Sequence, residues 1–229
     1  MIPQVKVPTF SMTLPVSKEK VDFRPFLVKE EKILLLVKDS KDPKDVARAI
    51  GDVVSSCTFD KISIHKYCLA DVQYAFIQIR GKSIGEELEL DLKCGGCDGG
   101  NSFILSVNDF DVLNKDVNNN INMGDITVRM KSPTIEHYTT LLLNDDMETI
   151  FSVICGCIEK IYSDEEVFIN EPGFESQIQE FLDNLPSEEF DKIKQYFSTM
   201  PMLHKKIEFT CKHCKTNNEF LIDGLSNFF

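Results

Sequence analysis

The sequence predicts an α+β fold, in which short antiparallel strands and two cysteine-containing hairpins are followed by a largely helical second half. Several segments alternate apolar and polar residues, which is the period of a strand with one buried face. Other segments repeat apolar residues three and four positions apart, which is the period of a helix. Each of two Cys-x-x-Cys pairs directly follows an alternating segment, so we expect both pairs at the tips of hairpins.

The composition is that of a globular protein with a strongly acidic balance. The 229 residues include 37 acidic and 25 basic side chains, for a formal charge of −12. This charge disfavours nucleic acid and anionic membrane surfaces, because both attract Lys and Arg. No apolar run approaches the roughly 18 residues of a membrane span, and residues 1–10 lack the apolar centre of a secretion signal.

A hairpin and three helices are predicted for the first part of the chain. Alternation in residues 5–14 and in Val21–Arg24 indicates two antiparallel strands joined by a polar turn. A short helix is predicted over Lys29–Val37. A second helix begins at Pro43, since proline suits the first turn, and a third covers about Lys66–Arg80.

The middle of the chain alternates strands with polar turns. Leu88, Leu90 and Leu92 predict a half-buried strand over Glu86–Lys93, and another strand is expected over Ser102–Val107. The Asn-rich segment Val112–Met123 is expected to be a loop. A further strand is predicted over Ile126–Met130.

Helices dominate the predicted second half. A long helix is expected from a cap at Asn144 or Asp145 through an apolar stripe that ends at Ile161. Two more helices are predicted, over residues 174–185 and from a Ser187 cap to a stop at Pro201. Short strands at residues 206–210 and 219–222 then flank the second cysteine pair.

The two cysteine pairs, Cys94/Cys97 and Cys211/Cys214, have the spacing of zinc knuckles. A Cys-x-x-Cys turn presents two thiolates along one edge of a tetrahedron, and two such turns complete a structural zinc site. Both pairs are followed six residues later by an aromatic residue, Phe103 or Phe220. The sequence therefore predicts a strand–knuckle–strand unit that occurs twice and binds one zinc ion.

Other interpretations of the cysteines are open at this point. The four thiols can be reduced cysteines in two ordinary hairpins, and the long separation of the pairs exceeds the usual ribbon of about 15–20 residues. A redox dithiol is disfavoured because turns, not helix starts, follow both pairs. His213 can replace a cysteine ligand, although a solvated turn residue is the preferred interpretation. In a reducing cytoplasm, disulfides are not expected.

Two segments are expected within one compact unit. Residues 1–130 contain the hairpin, the first helices and the first knuckle, and residues 131–229 contain the later helices and the second knuckle. Zinc would join them. The sequence shows no phosphate-binding loop, nucleophile elbow or metalloprotease motif, so we expect no enzymatic activity and no small-molecule substrate.

Three stretches resemble one known family. They are Val21–Ile33, Ile77–Glu86 before the first knuckle, and Ile193–Met202 before the second knuckle. In this order they are similar to the baseplate hub subunits and hub assembly proteins of T-even-like myophages. The Gly95–Gly96 pair departs from the larger residues that the resemblance leads one to expect.

The resemblance implies a role in building the central hub of a contractile-tail baseplate, as a subunit or an assembly chaperone. Its partners would be other phage baseplate hub proteins, met in the host cytoplasm during assembly, with the virion tail baseplate as the second expected location. The alternative is a zinc-ribbon interaction module that serves phage transcription or replication. Five apolar residues near the second knuckle are the candidate partner-binding surface: Met200, Met202, Leu203, Phe228 and Phe229.

Overall fold

The computed structural model describes residues 5–38, 40, 42–144 and 146–223. Over these residues the chain forms seven α-helices and eleven strands in small antiparallel sheets, which confirms the α+β class. The helices are α1 Val28–Val37, α2 Pro43–Cys57, α3 Leu69–Ile84, α4 Ile135–Leu143, α5 Met147–Cys157, α6 Glu175–Asp183 and α7 Ser187–Ser198. The strands are β1 Phe10–Thr13, β2 Lys20–Phe23, β3 Glu87–Lys93, β4 Gly100–Ser106, β5 Asp111–Leu113, β6 Asn120–Met123, β7 Ile126–Met130, β8 Ile158–Tyr162, β9 Val167–Ile169, β10 Met202–Thr210 and β11 Asn217–Asp223.

The N-terminal hairpin is confirmed for β1 and β2, which pair from Phe10 opposite Phe23. Residues 5–9 precede it without forming a strand. Its turn is fixed to α3, because the carboxylate of Asp71 accepts hydrogen bonds from the N–H groups of Val16 and Ser17, both at 2.9 Å. The hairpin contributes the buried side chains of Met12, Val21 and Phe23 to the hydrophobic interior.

Helices α1 and α2 are held to this hairpin by a buried ion pair. Arg24 donates from Nη2 to Oε1 of Glu30 at 2.8 Å, and the side chain of Glu30 is 1% exposed. The Ser56 hydroxyl donates to the same carboxylate at 2.8 Å. The carboxylate of Asp42 accepts from the Lys44 N–H and caps α2, the helix that was predicted to begin at Pro43.

Two clusters of buried side chains form the interior. The first combines β1, β2, α2 and α3 with Leu203, Ile207 and Ile222 from the C-terminal strands. The second lies between the sheet β6–β7–β8–β9 and helices α5, α6 and α7. In the part of the chain that is described, none of the helices is long and apolar enough to cross a membrane.

Several predicted elements are corrected. The expected loop Val112–Met123 contains the end of β5 and all of β6. These Asn-rich residues form strands because β5 pairs with β10 and β6 pairs with β7. The long helix stops at Cys157, and Ile158–Tyr162 is strand β8. The N-cap of this helix, α5, is Asp146 and not Asn144 or Asp145, and its carboxylate accepts a hydrogen bond from the Thr149 N–H. Helix α4 and strand β9 were not predicted.

Both cysteine pairs lie at the tips of hairpins, as predicted. Strands β3 and β4 pair from Glu87 opposite Ser106 to Lys93 opposite Gly100. Strands β10 and β11 pair up to Thr210 opposite Asn217, and β5 continues that sheet on the other side of β10. We call residues 94–101 the first knuckle and residues 211–218 the second knuckle.

Candidate metal centre

The two hairpins meet through an aromatic contact that sets their tips side by side. The ring of Phe103 on β4 lies 4.8 Å from that of Phe209 on β10, and Phe209 stacks on Phe220 of β11 at 5.8 Å. Phe103 and Phe220 are the aromatic residues that follow the two knuckles at equal spacing. The repeat in the sequence therefore supplies the packing that brings the knuckles together.

The four thiols gather at one point between the two tips. The sulfurs of Cys94, Cys97, Cys211 and Cys214 all lie within 4.8 Å of one another. Cys94 and Cys211 are fully buried, whereas Cys97 and Cys214 face solvent. Four soft ligands that converge in this way can hold a metal ion.

The spacing of the sulfurs agrees with a tetrahedral tetrathiolate site. The Sγ atoms of Cys94 and Cys214 are 3.6 Å apart, and those of Cys97 and Cys211 are 3.8 Å apart. Four sulfurs at about 2.3 Å from a central zinc ion would be separated by about 3.8 Å along each edge of the tetrahedron. The residues present therefore fit a zinc ion in both donor chemistry and distance.

Each knuckle is closed by the same pair of backbone hydrogen bonds. In the first knuckle, the Cys94 N–H donates to the Gly99 carbonyl at 3.0 Å and the Asp98 N–H donates to the Cys94 carbonyl at 2.9 Å. The second knuckle repeats both bonds at the equivalent positions, at 2.9 and 3.1 Å. Asp98 and Lys215 hold equivalent left-handed conformations, with φ of 56° and 65°.

Backbone amides inside the turns point at the sulfurs. The Gly96 N–H donates to Sγ of Cys94 at 3.3 Å, and the His213 N–H donates to Sγ of Cys211 at 3.4 Å. Such bonds favour the thiolate form that a metal requires. The turn therefore prepares its first cysteine for metal binding.

An asparagine of the first knuckle reaches into the second. Asn101 is buried, and its Nδ2 lies 3.7 Å from Sγ of Cys211. Its Oδ1 accepts the Lys212 N–H at 3.0 Å. A second bond from Nδ2, to the Gly99 carbonyl at 2.9 Å, fixes the amide within its own turn.

Asn218 of the second knuckle makes the reciprocal set of contacts. Its Nδ2 lies 3.4 Å from Sγ of Cys94, and its Oδ1 accepts the Gly95 N–H at 2.9 Å. Its Nδ2 also donates to the Thr216 carbonyl at 2.8 Å. Sequence analysis missed both asparagines, although each stands four residues after the second cysteine of its pair, a signal equal in form to that of Phe103 and Phe220.

Hydrogen bonds and burial shift the pKa values of Cys211 and Cys97 in opposite directions. Hydrogen bonds from the backbone of Cys214 and of His213 outweigh burial and lower the pKa of Cys211 to about 6. The Gly99 amide lowers the pKa of Cys97, but the neighbouring thiols and burial outweigh it and raise that pKa to about 12. The thiolate form is therefore favoured at Cys211 and opposed at Cys97.

His213 packs on the first knuckle. Its Nε2 lies 3.3 Å from the Gly100 carbonyl, and its ring covers Gly99 so closely that a Cβ there would stand 2.5 Å from the ring's Cδ2. The exposed imidazole of His213 therefore packs against the first knuckle. The candidate metal ligands that lie together are the four cysteine sulfurs.

The remaining cysteines lie elsewhere. Cys57 and Cys157 are buried, whereas Cys68 and Cys155 are half-buried. Burial raises the pKa of Cys57 to about 11 and those of Cys68 and Cys157 to about 12. These neutral thiols belong to the two hydrophobic clusters or pack against them.

The candidate partner-binding residues are placed unequally. Met202 is 39% exposed and pairs with Leu113 of β5, also 39% exposed, and Met200 is half-buried against the second hydrophobic cluster. Leu203 is fully buried in the first cluster, because alternation along β10 turns it inward, so it offers no contact surface. Phe228 and Phe229 lie outside the described residues.

Together, the fold and the thiol cluster define a small α+β protein in which two hairpins, far apart in sequence but in contact in the fold, share a candidate metal centre. Residues 7–229 match the family model described as T4 bacteriophage base plate protein. The chain therefore belongs to this baseplate family, which confirms the predicted resemblance at the level of the baseplate. Among curated proteins and among solved structures, none matches the chain.

Proposed function

We propose that this chain takes part in assembly of the phage baseplate hub, as a structural subunit or as an assembly chaperone, without enzymatic activity. The observation that carries the proposal is the family match over residues 7–229. A baseplate is built from protein contacts, and a family of structural proteins indicates a non-enzyme. The proposed partners are therefore other baseplate hub proteins, met in the host cytoplasm during tail assembly.

A structural zinc ion is the second part of the proposal. Its ligands are Cys94, Cys97, Cys211 and Cys214, whose sulfur spacing of 3.6 and 3.8 Å fits a tetrahedron. When bound, zinc would join the tip of the β3–β4 hairpin to the tip of the β10–β11 hairpin. We propose that the segments 1–130 and 131–229 act in this way as one unit, which the mixed membership of the first hydrophobic cluster supports.

The proposed contact surface includes the exposed apolar pair Met202 and Leu113, together with Met200 and the C-terminal residues Phe228 and Phe229. Methionine and aromatic residues are enriched at the centres of protein interfaces. An exposed cross-strand pair at the end of β10 and β5 can be covered by a partner without unfolding the sheet.

The alternative, a zinc-ribbon accessory factor in phage transcription or replication, differs in its partners. To distinguish the hub role from the accessory-factor role, the tagged chain is co-expressed with each tail protein of the same phage, and complexes are isolated under reducing conditions. We expect a stable complex with at least one hub component. If the folded chain binds none of the tail proteins, the hub assignment is wrong and the accessory-factor role is favoured.

A further inference from the structure

We propose that Asn101 and Asn218 are the positioning residues of the metal centre, each acting on the opposite knuckle. The inference rests on the proposed zinc site and assigns roles to two residues that are not ligands. It follows from a reciprocal pattern of contacts in which each asparagine bonds the first cysteine of the other knuckle.

The first consequence of this pattern is geometric. The Oδ1 of Asn101 holds the Lys212 N–H at 3.0 Å, and the Oδ1 of Asn218 holds the Gly95 N–H at 2.9 Å. Lys212 and Gly95 directly follow the first cysteine of each pair. Both asparagines therefore clamp the opposite turn next to its first ligand, which fixes the distance between the two pairs of sulfurs.

The second consequence is electrostatic. Four thiolates around one divalent ion leave an excess of two negative charges, in a chain that is already at −12. Cys94 receives N–H contacts from Gly96 and from Asn218, and Cys211 receives them from His213 and Asn101. The two buried sulfurs thus each have one donor from their own turn and one from the other knuckle. Each asparagine withdraws charge from a thiolate that water does not reach.

Both roles depend on the side-chain amide, since it donates and accepts at the same time. The Nδ2 of each asparagine is also anchored to a carbonyl of its own turn, at 2.9 Å for Asn101 and 2.8 Å for Asn218. A rigid amide with one anchored N–H can hold the second N–H towards sulfur. Leucine has a similar size but makes none of these bonds, and aspartate keeps only the acceptor.

The test compares metal binding in matched variants of the full chain. Wild type, the double variant Asn101→Leu/Asn218→Leu, each single variant, Asn101→Asp and the control Asn108→Leu are titrated with Co²⁺ in reductant and without oxygen. Asn108 is exposed in the short turn that follows β4, away from the first knuckle. Zn²⁺ affinity is measured by competition with a chelator, and the melting temperature is followed with and without metal.

We expect wild type and Asn108→Leu to bind one metal ion with equal affinity. The double variant should bind about 10–100-fold more weakly, the range found when outer-shell partners of metal ligands are lost. Its sulfur-to-cobalt charge-transfer band should move to lower energy, because thiolates without N–H donors release electron density more easily. Each single variant should show part of the shift, so the test survives if the double variant does not fold. Asn101→Asp should weaken binding at least as much as Asn101→Leu.

Two results would overturn the inference, and they are distinguishable. If wild type binds metal and the variants match it in affinity and band energy, with only a lower melting temperature, the asparagines merely stabilise the fold. If wild type itself binds no metal, the zinc proposal fails and this inference fails with it.

Discussion

The sulfur of Cys94 lies 3.6 Å from the sulfur of Cys214, although 120 residues separate them in the sequence. This contact closes residues 94–214, about half of the chain, into one loop. The closure is supported by the ring contact of Phe103 with Phe209 and by the reciprocal bonds of Asn101 and Asn218. A metal ion at this point would stabilise the fold by joining a hairpin from the middle of the chain to the C-terminal hairpin.

Loss of one ligand should therefore loosen both knuckles. Structural zinc in small domains contributes about 10–16 kcal/mol at neutral pH, which is comparable to the whole stability of about 5–15 kcal/mol of a typical domain. In Cys211→Ser we expect the zinc content to fall well below one per chain. Hydrogen exchange should accelerate at residues 94–101 as well as at 211–218. Faster exchange confined to residues 211–218 would show that the knuckles are independent.

The contact of His213 with Gly99 makes the first knuckle sensitive to one methyl group. A Cβ at Gly99 would stand 2.5 Å from the His213 ring, whereas a Cβ at Gly100 meets nothing within 4 Å. Gly99→Ala should lower the free energy of unfolding of the zinc-loaded protein by about 1–3 kcal/mol, the usual cost of overpacking. The matched control Gly100→Ala should be nearly neutral. Adding His213→Ala should remove part of the cost, because the added Cβ would also stand 3.2 Å from Sγ of Cys97. Equal effects of Gly99→Ala and Gly100→Ala would contradict the contact with His213.

The ion pair of Arg24 and Glu30 should control stability in acid. Burial alone would raise the pKa of Glu30, but hydrogen bonds from Arg24, Ser56 and the Leu27 amide lower it from 4.5 to about 2. Because the folded-state pKa is depressed, the carboxylate stabilises the fold above about pH 4.5. This contribution, about 3 kcal/mol at 1.36 kcal/mol per pKa unit, is lost as the pH falls from 4.5 to 2.

The substitution Glu30→Gln tests this by urea unfolding of the variant and of wild type under identical conditions at pH 7 and at pH 3. At pH 7 it should cost about 3–5 kcal/mol, because Arg24 stays buried without its partner. The difference from wild type should shrink at pH 3. The exposed neighbour Glu31 is the control, and Glu31→Gln should change stability little at either pH. A loss at Glu30 that does not depend on pH would show that packing, not charge, stabilises this site.

Much of the fold could be predicted because local patterns agree with tertiary structure. Alternation in Leu88, Leu90 and Leu92 identified β3, and the Asp42–Pro43 pair identified the start of α2. The boundary between α5 and β8 could not be found in this way. Ile154, Ile158 and Ile161 keep helical spacing across it, yet β7 pairs with Ile158 and Ile161 and recruits them to its sheet.

The four cysteines of the candidate site were identified by their spacing, but the asparagines around them were not. The bonds from Asn101 and Asn218 to the opposite knuckle join residues 111 and 123 positions apart, so no local sequence pattern indicates them. Asn101 and Asn218 are recognisable only when the two knuckles are aligned with each other. The buried position of Leu203 was also missed, because a run of apolar residues does not show which member faces the core.

The apolar surface at Met202 should matter for partners and not for folding. Met202→Glu should weaken capture of the hub partner roughly tenfold or more, the effect of losing an interface residue worth about 1.4 kcal/mol or more. Zinc content and melting temperature should stay close to wild type. Leu221→Glu, at a residue that is 51% exposed on β11, is the matched control and should bind normally.

Two further variants define the limits of this surface. Leu203→Ala should destabilise the protein by about 2–5 kcal/mol, as expected for a buried leucine. Removal of residues 227–229 should leave zinc content and melting nearly unchanged while it weakens capture. If that removal unfolds the protein, the C-terminal residues belong to the interior and the partner surface lies elsewhere.

The central claim is that one zinc ion, held by the four cysteines, joins the two knuckles of this baseplate protein. X-ray absorption at the zinc edge of reduced, purified protein, with elemental analysis of the same sample, tests it directly. We expect one zinc per chain with four sulfur neighbours at about 2.3 Å. A folded, reduced protein without zinc, or zinc with fewer than four sulfur neighbours, would contradict it.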